Sequence, residues 1–322
     1  MEQDFPIGVN LGPSHITSSY LNVGNNVVNV VSIESEQAWN ELFLDTLRVK
    51  RDYEEKKTHA NENCVKETIV STLAQIQKAT EEKLGRPAQI KVIGYPEHFK
   101  STPYVSTLAR IAIREYPEVT TPYQVRPYLD CVRMAYGLNT SEALGYGLSL
   151  DLDEYNSLLL HVDYQKDFLE VSIMSVTEHV DNRERILCID KFGGSGNDKS
   201  ATSEELAELK DRFQKLLEEQ IRDNQYCQTQ PEDFRLIIFS GSAPASEFQR
   251  IREAIVEIVP NFSERFRDEI DPFWVGARGA AQNAREYTIN PPVKRIGHWT
   301  EEEFYKSLDD QCAPDDVDGH EL

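Results

Sequence analysis

The sequence predicts an α/β protein in which one structural unit is used twice. Three short β-rich runs, a long helix, a strand and further helices follow one another, and the same order begins again near residue 158. Size agrees, because 322 residues suit one large two-lobed body or two average domains with ample buried core. The expected division is 1–155 for a first lobe, 156–272 for a second, 273–289 for a closing helix returning to the first, and 290–322 for an acidic tail. A ligand is expected between two such lobes.

The elements follow from local pattern. Residues 6–11, 15–22 and 26–33 are β-rich and punctuated by Gly-Pro-Ser and Gly-Asn-Asn, which are hairpin signals. A helix is expected over 61–84, with Val65, Ile69, Leu73 and Ile76 at helical spacing and Gly85 as its stop. Residues 89–94 read as a buried strand ending at Tyr95-Pro96, 103–115 as a helix, 123–127 as a strand and 130–137 as a helix. In the second half 158–162, 168–177 and 185–189 are strand-like. A helix over 203–223 has Ser203 as expected N-cap and acidic Glu204 and Glu205 in its first turn. A short strand at 236–239 runs into Ser240-Gly241-Ser242, helices cover 246–259 and 272–287, and a short helix is expected at 301–308.

Charge and composition exclude several functions. With 34 Lys and Arg against 55 Asp and Glu, the net charge is −21, so phosphate backbones and anionic membrane surfaces are repelled. The mean hydropathy of −0.52 and the absence of a long apolar run exclude a spanning helix. The five cysteines are widely spaced with no C-x-x-C pair, which favours reduced thiols over a disulfide framework or zinc site. The acidic start Met1-Glu2-Gln3-Asp4 has neither the basic, apolar character of a secretory leader nor the Arg-rich character of a mitochondrial one. A cytoplasmic or nuclear location is therefore expected. The seven histidines show no paired metal spacing.

Six segments, in order, resemble one family. The first turn is Gly8-Val9-Asn10-Leu11-Gly12-Pro13-Ser14-His15, a strand entering a Gly-containing hairpin of the kind that lets backbone N–H groups approach phosphate. Ile93-Gly94-Tyr95-Pro96-Glu97-His98-Phe99, the segment ending Ala135-Tyr136-Gly137-Leu138, and Leu160 to Met174 follow. Leu236 to Ser242 and Ile270-Asp271-Pro272 with Val275, Ala277, Gly279, Ala280 and Ala281 complete the set. In that order they resemble the actin/Hsp70-type ATPases, closest to a minimal Hsp70 nucleotide-binding domain. The resemblance implies a duplicated ribonuclease-H-like, two-lobed fold with its small inserted subdomains reduced or absent. By the same resemblance Asn10, Gly12, Ser14, Asp163, Glu170, Gly193, Gly194, Gly241 and Ser242 are the vestigial nucleotide-binding positions, and no residue is expected to be catalytic or to hold a metal.

The departures from the family pattern set the functional expectation. Where the family's first loop resembles Asp-Leu-Gly-Thr-Thr, this chain has Asn10 for the metal-organising aspartate and Pro13-Ser14 for Thr-Thr. Proline also removes a backbone donor. Where its second hairpin resembles Asp-Leu-Gly-Gly-Gly-Thr-Phe-Asp, this chain reads Asp163-Tyr164-Gln165-Lys166-Asp167-Phe168-Leu169-Glu170, and every glycine is gone. Close backbone approach to a phosphate requires the absence of a Cβ. Tyr128 replaces a glutamate at the start of the connecting helix, leaving Asp130 as a substitute only if the backbone shifts. Residues 34–61 are too few for the lobe that carries the family's catalytic lysine, and Lys50, Arg51, Lys56 and Lys57 there read as a solvated charge run. Peptide chaperoning of the Hsp70 type is not expected, because residues 290–322 show no sign of a substrate-binding domain.

The expected function is therefore an Hsp70-like, chaperone-related pseudo-ATPase that serves as a protein-binding scaffold or regulatory subunit without hydrolysis. The alternative is a divergent protein that binds ATP or ADP with Mg as a structural ligand or slow switch. The tail from Thr300 holds nine acids and one lysine. It reads either as a solvated end or as a linear motif. In the second reading Trp299, Phe304, Tyr305 and Leu308 form an apolar stripe that docks into a basic-rimmed groove of a protein partner.

Overall fold

The computed structural model describes residues 5–49, 61–147, 151–165, 168–177, 181–190, 192–193, 200–223 and 229–291. Within them lie ten strands and seven α-helices. The first half runs β1 (Ile7–Leu11), β2 (His15–Leu21), β3 (Val27–Glu34), α1 (Gln37–Val49), α2 (Glu62–Leu84), β4 (Ile90–Tyr95), α3 (Tyr104–Glu115), β5 (Val125–Pro127) and α4 (Tyr128–Tyr136). The second runs β6 (Leu158–Tyr164), β7 (Phe168–Val176), β8 (Asp181–Asp190), α5 (Ser203–Asp223), β9 (Phe234–Ser240), α6 (Ala245–Ile258), β10 (Phe266–Arg267) and α7 (Val275–Ile289).

The chain forms two mixed five-stranded sheets, ordered β3-β2-β1-β4-β5 and β10-β9-β6-β7-β8. In the first, β1, β2 and β3 are antiparallel neighbours and β4 and β5 continue parallel to β1. The second repeats this: β6, β7 and β8 are antiparallel, and β9 and β10 continue parallel to β6. Matched order and matched strand sense make the two sheets copies of one topology. Two compact units result, one containing the described residues of Met1–Cys131 and Gly276–Leu322, the other Val132–Val275.

In the first unit, α2 begins where the Asn61 side chain accepts from the Asn63 N–H at 2.9 Å. It ends at Gly85, whose φ of 68° closes the last turn with an N–H bond to the Glu81 carbonyl. Its buried face is Val65, Ile69, Thr72, Leu73, Ile76 and Thr80, and Thr80 meets Ser18 of β2 at 2.9 Å. Helix α7 lies against β1, where a Cβ on Gly8 would fall 2.1 Å from the Ala281 nitrogen. The turn before β5 is built on Gln124, fully buried. Its Nε2 donates to the carbonyls of Lys91 and Glu118, and its Oε1 accepts from the N–H groups of Thr120 and Thr121.

The second unit is built around Leu160, Val162, Leu169, Val171, Ile173, Phe213, Ile237, Ile251 and their neighbours, a core contributed by one face of its sheet and by α5 and α6. Helix α5 is capped one residue earlier than its sequence suggests. The Glu205 N–H bonds the Thr202 hydroxyl at 3.2 Å and the Thr202 N–H bonds the Glu205 carboxylate at 2.6 Å. This reciprocal pair uses the Thr-x-x-Glu spacing, which Ser203 lacks. Two elements were not expected from the sequence: α1, and the two-residue β10 beside β9. The helix expected at 301–308 lies outside the described residues. Among the described residues no helix is long and apolar enough to cross a membrane.

Candidate functional site

Each unit carries one of the glycine-containing turns singled out in the sequence, and each turn is described within its own unit. In the first, β1 and β2 are joined through Gly12, Pro13 and Ser14. Gly12 is required by space, since a Cβ there would fall 2.4 Å from the His15 carbonyl oxygen. The turn is pinned from outside. The Trp39 indole N–H donates to the Gly12 carbonyl at 2.9 Å. Ser35 donates its hydroxyl to the Pro13 carbonyl at 2.6 Å and its N–H to the Ser14 carbonyl at 3.0 Å. Trp39 comes from α1 and is fully buried, with its ring centroid 5.3 Å from that of Phe99. Ser14 is 3.2 Å from the His15 ring nitrogen.

Asn10 sits at the floor of this turn, 7 % exposed. A Cβ on Gly276 would meet Asn10 Cγ and Tyr128 Cε2, each at 2.5 Å, and one on Gly94 would meet Asn10 Oδ1 at 3.1 Å. The Asn10 amide and the Tyr128 ring therefore both press against the start of α7. Asn10 Oδ1 is buried without a hydrogen-bond partner among the described residues. Asp130 does not turn toward this point: its carboxylate is held 2.7 Å from Arg126. Burial opposes the charge on Arg126, but Asp130 and the neighbouring Tyr287, Cys131 and Tyr95 outweigh it and raise the pKa of the guanidinium.

In the second unit the β6–β7 hairpin closes with the Gln165 N–H on the Phe168 carbonyl at 2.9 Å. Its tip, Lys166 and Asp167, lies outside the described residues. Asp163 and Glu170 stand opposite each other across the two strands, Glu170 buried. Asp163 Oδ1 accepts from Gln165 Nε2 at 2.7 Å and from the Ser240 hydroxyl at 3.0 Å. Ser240 is also 2.8 Å from His161 Nε2. Since the serine proton is directed to Asp163, this nitrogen carries the hydrogen and donates to Ser240. The Gln165 Oε1 accepts from Ser242 at 3.1 Å. One side-chain amide thus ties the hairpin to the Ser240-Gly241-Ser242 turn.

That turn is stitched to the end of β6. Gly241, with φ of 117°, would place a Cβ 2.2 Å from the Tyr164 carbonyl oxygen. Its N–H bonds the Pro272 carbonyl at 3.1 Å, and the Ala243 N–H bonds the Tyr164 carbonyl at 3.0 Å. Both a left-handed backbone and the absence of a side chain are needed there. Behind the turn, Glu247 is buried and accepts from the Ala201 N–H at 2.9 Å and from Arg250 at 3.1 Å. Burial alone would raise this carboxyl, but these bonds and one from Ser200 hold it below the usual carboxylate range. Burial beside Glu247 pushes the Tyr164 hydroxyl well above its ordinary value. A cavity of about 230 Å³ adjoins the turn, lined by Phe239, Phe248, Gln249, Arg252, Asp268 and Pro272 among others.

The structure thus brings Asn10, Gly12 and Ser14 together at one turn, and Asp163, Glu170, Gly241 and Ser242 at the other. Gly193 is buried with φ of 79°. Gly194, Trp299, Phe304, Tyr305 and Leu308 lie outside the described residues. Sequence reasoning missed Trp39 and Ser35, which hold the first turn, and the bonds of Gln165, which hold the second. Trp39, Leu42, Phe43 and Leu47 have helical spacing and are the signal that marks α1. Among the described residues no three His, Cys, Asp or Glu side chains group as metal ligands would.

No protein-family model matches this chain, and no curated protein matches it.

Proposed function

We propose that the chain is a degenerate nucleotide-binding domain of the actin/Hsp70 type, a ribonuclease-H-like core retained as a scaffold that binds a protein partner and does not hydrolyse ATP. The repeated sheet topology supports the fold family, and the motif order supports its Hsp70-like branch. The observation that carries the functional reading is the engagement of Asp163 by Gln165 and Ser240.

Phosphoryl transfer needs a held metal, cradled phosphates and an oriented water together. Asn10 brings no charge to the first turn, and the Tyr128 ring stands where the family pattern has an acid. In the second turn Gln165 supplies a side chain where the pattern has glycine, and that side chain occupies an oxygen of the carboxylate. The residues present do not fit a Mg-nucleotide. Free thiols at Cys64, Cys131 and Cys188 agree with a cytoplasmic or nuclear setting, and the acidic tail favours a partner with a basic surface.

The test is thermal melting of the full chain with and without Mg-ATP, paired with a phosphate-release assay. The expected result is no shift and no release. A binder at 100 Kd of ligand gains about 2.7 kcal/mol, and such a shift overturns the scaffold reading. One observation favours the second reading, nucleotide as a structural ligand or slow switch: the cavity beside Ser240-Gly241-Ser242. At about 230 Å³ it falls below the roughly 300–1,000 Å³ typical of ligand pockets. A melting shift without phosphate release selects that reading. For the partner, deletion after Asn290 and pulldown tests the tail, and unchanged recovery rejects it as the docking motif.

A further inference from the structure

We propose that strand β3 is a homodimer interface, through which two copies of this chain pair edge to edge and antiparallel. The proposal is independent of the chemistry of the two turns. Strand edges present unpaired N–H and C=O groups and are normally blunted by brevity, proline or charge. Among the described residues the two sheets have four edges, and three of them are blunted in this way. Strand β5 is three residues long and ends in Pro127, and β10 is two residues long. Strand β8 carries Asp181, Arg183, Glu184, Arg185 and Asp190 among ten residues.

Strand β3 is the exception. It has eight residues, Val-Val-Asn-Val-Val-Ser-Ile-Glu, with its one charge at the last position, and among the described residues no strand pairs with its outer side. The segment 27–33 combines high β-propensity with no charge, no proline and no glycine, the composition that templates strand addition. A bulge at Val30, between the pairs Ser18–Val31 and Ser19–Asn29, protects the middle of the edge. Residues 27–29 and 31–33 on either side of it carry no charge, and Val27, Val28, Val31 and Ile33 remain half-exposed. The hairpin tip presents this edge in a fixed shape: the Asn22 carboxamide accepts from the N–H groups of Gly24 and Asn26, and Val23 is 67 % exposed.

Charge identifies the occupant. In a chain with 28 % charged residues and a net −21, residues 5–33 contain no Asp, Glu, Lys or Arg. Two copies repel each other across most of their surface, and least where both are neutral. A basic partner would find nothing to bind at a neutral strand, whereas a second β3 matches it in charge and in side chains. Antiparallel pairing of identical strands is two-fold symmetric, so it covers both edges and closes.

The test is the mass of the full chain by light scattering and sedimentation across the micromolar range, with hydrogen exchange followed in β3. The expected result is twice the 36.9 kDa chain mass, with protection of residues 27–34 rising with protein concentration. Val28→Lys and Val31→Lys should return the mass to that of one chain, while the uncharged Val28→Thr keeps the dimer. The exchange readout on the unmodified chain holds even if a lysine variant fails to fold. A monomer at every concentration overturns the proposal, whether β3 then exchanges freely or is protected by another part of the same chain. A dimer that survives both lysine variants in folded form overturns it as well.

Discussion

Replacing Gln165 tests whether the second turn is held by the bonds of its side chain or merely filled by its bulk. Gln165→Ala removes the donor 2.7 Å from Asp163 and the acceptor 3.1 Å from Ser242, at a site where Gln165 itself is buried. A hydrogen bond to a charged group contributes about 1.5–3 kcal/mol, and the partly exposed Ser242 hydroxyl regains water. The expected loss is therefore about 2–3 kcal/mol, which at roughly 2–4 °C per kcal/mol lowers the melting temperature by about 4–12 °C. Gln165→Glu keeps the shape but turns the donor into a second acid facing Asp163. Two like charges about 4 Å apart repel by about 4 kcal/mol at an effective dielectric of 20, so this variant should melt below the alanine one. Calorimetry near neutral pH on the two variants and the parent gives the ranking. A glutamate variant as stable as the parent would refute the reasoning, because shape alone would then account for the site.

Three further outcomes follow from the same geometry. Gly279→Ala places a Cβ 1.7 Å from the Cys131 carbonyl oxygen. Overpacking of about 1–3 kcal/mol or more should exceed the roughly 1 kcal/mol gained in helix propensity. Gly137→Ala meets nothing within 4 Å and bears only its φ of 64°, so denaturant midpoints should fall much further for the former. Glu247, whose folded carboxyl lies below the ordinary range, contributes stability that is present above about pH 4.3 and is lost as pH falls through the lowered value. Glu247→Gln should therefore flatten the acid limb of a stability-against-pH curve while lowering the plateau at neutral pH. Maleimide should label exposed Cys64 in the native protein and spare Cys131, whose thiol burial pushes far up; equal labelling rates would contradict the packing around Gly279.

The sequence was most legible where one local rule decides the outcome. The Gly85 stop and the Gly12 turn each depend on a residue and its immediate neighbours, and both stand where expected. The repeat order also survived into two sheets of the same topology. What escaped was long-range partnership. Gln165 reads in sequence as a side chain that obstructs a loop, but its amide joins a hairpin to Ser242, 77 positions away. Trp39 lies in a stretch whose charges drew attention to Lys50 and its neighbours, yet its role is fixed by one carbonyl 27 residues earlier. Thr202 takes the cap expected of Ser203 because a reciprocal bond with Glu205 is available only at that spacing.

The internal bonds of Asp163 also separate the two functional readings. Any ligand that needs this carboxylate must first break the bonds from Gln165 and Ser240. At about 1.5–3 kcal/mol each, the two together weaken an apparent affinity by roughly 10²–10⁴-fold. If nucleotide is a native ligand held off by this closure, Gln165→Ala removes about half the barrier and tightens Mg-ATP binding by about 10–10²-fold. If the turn is a closed structural element, the same variant loses stability and gains no affinity. Titration calorimetry of the parent and the variant with Mg-ATP decides between them. We expect a destabilised variant with no binding heat; tighter binding would move the chain from scaffold to switch.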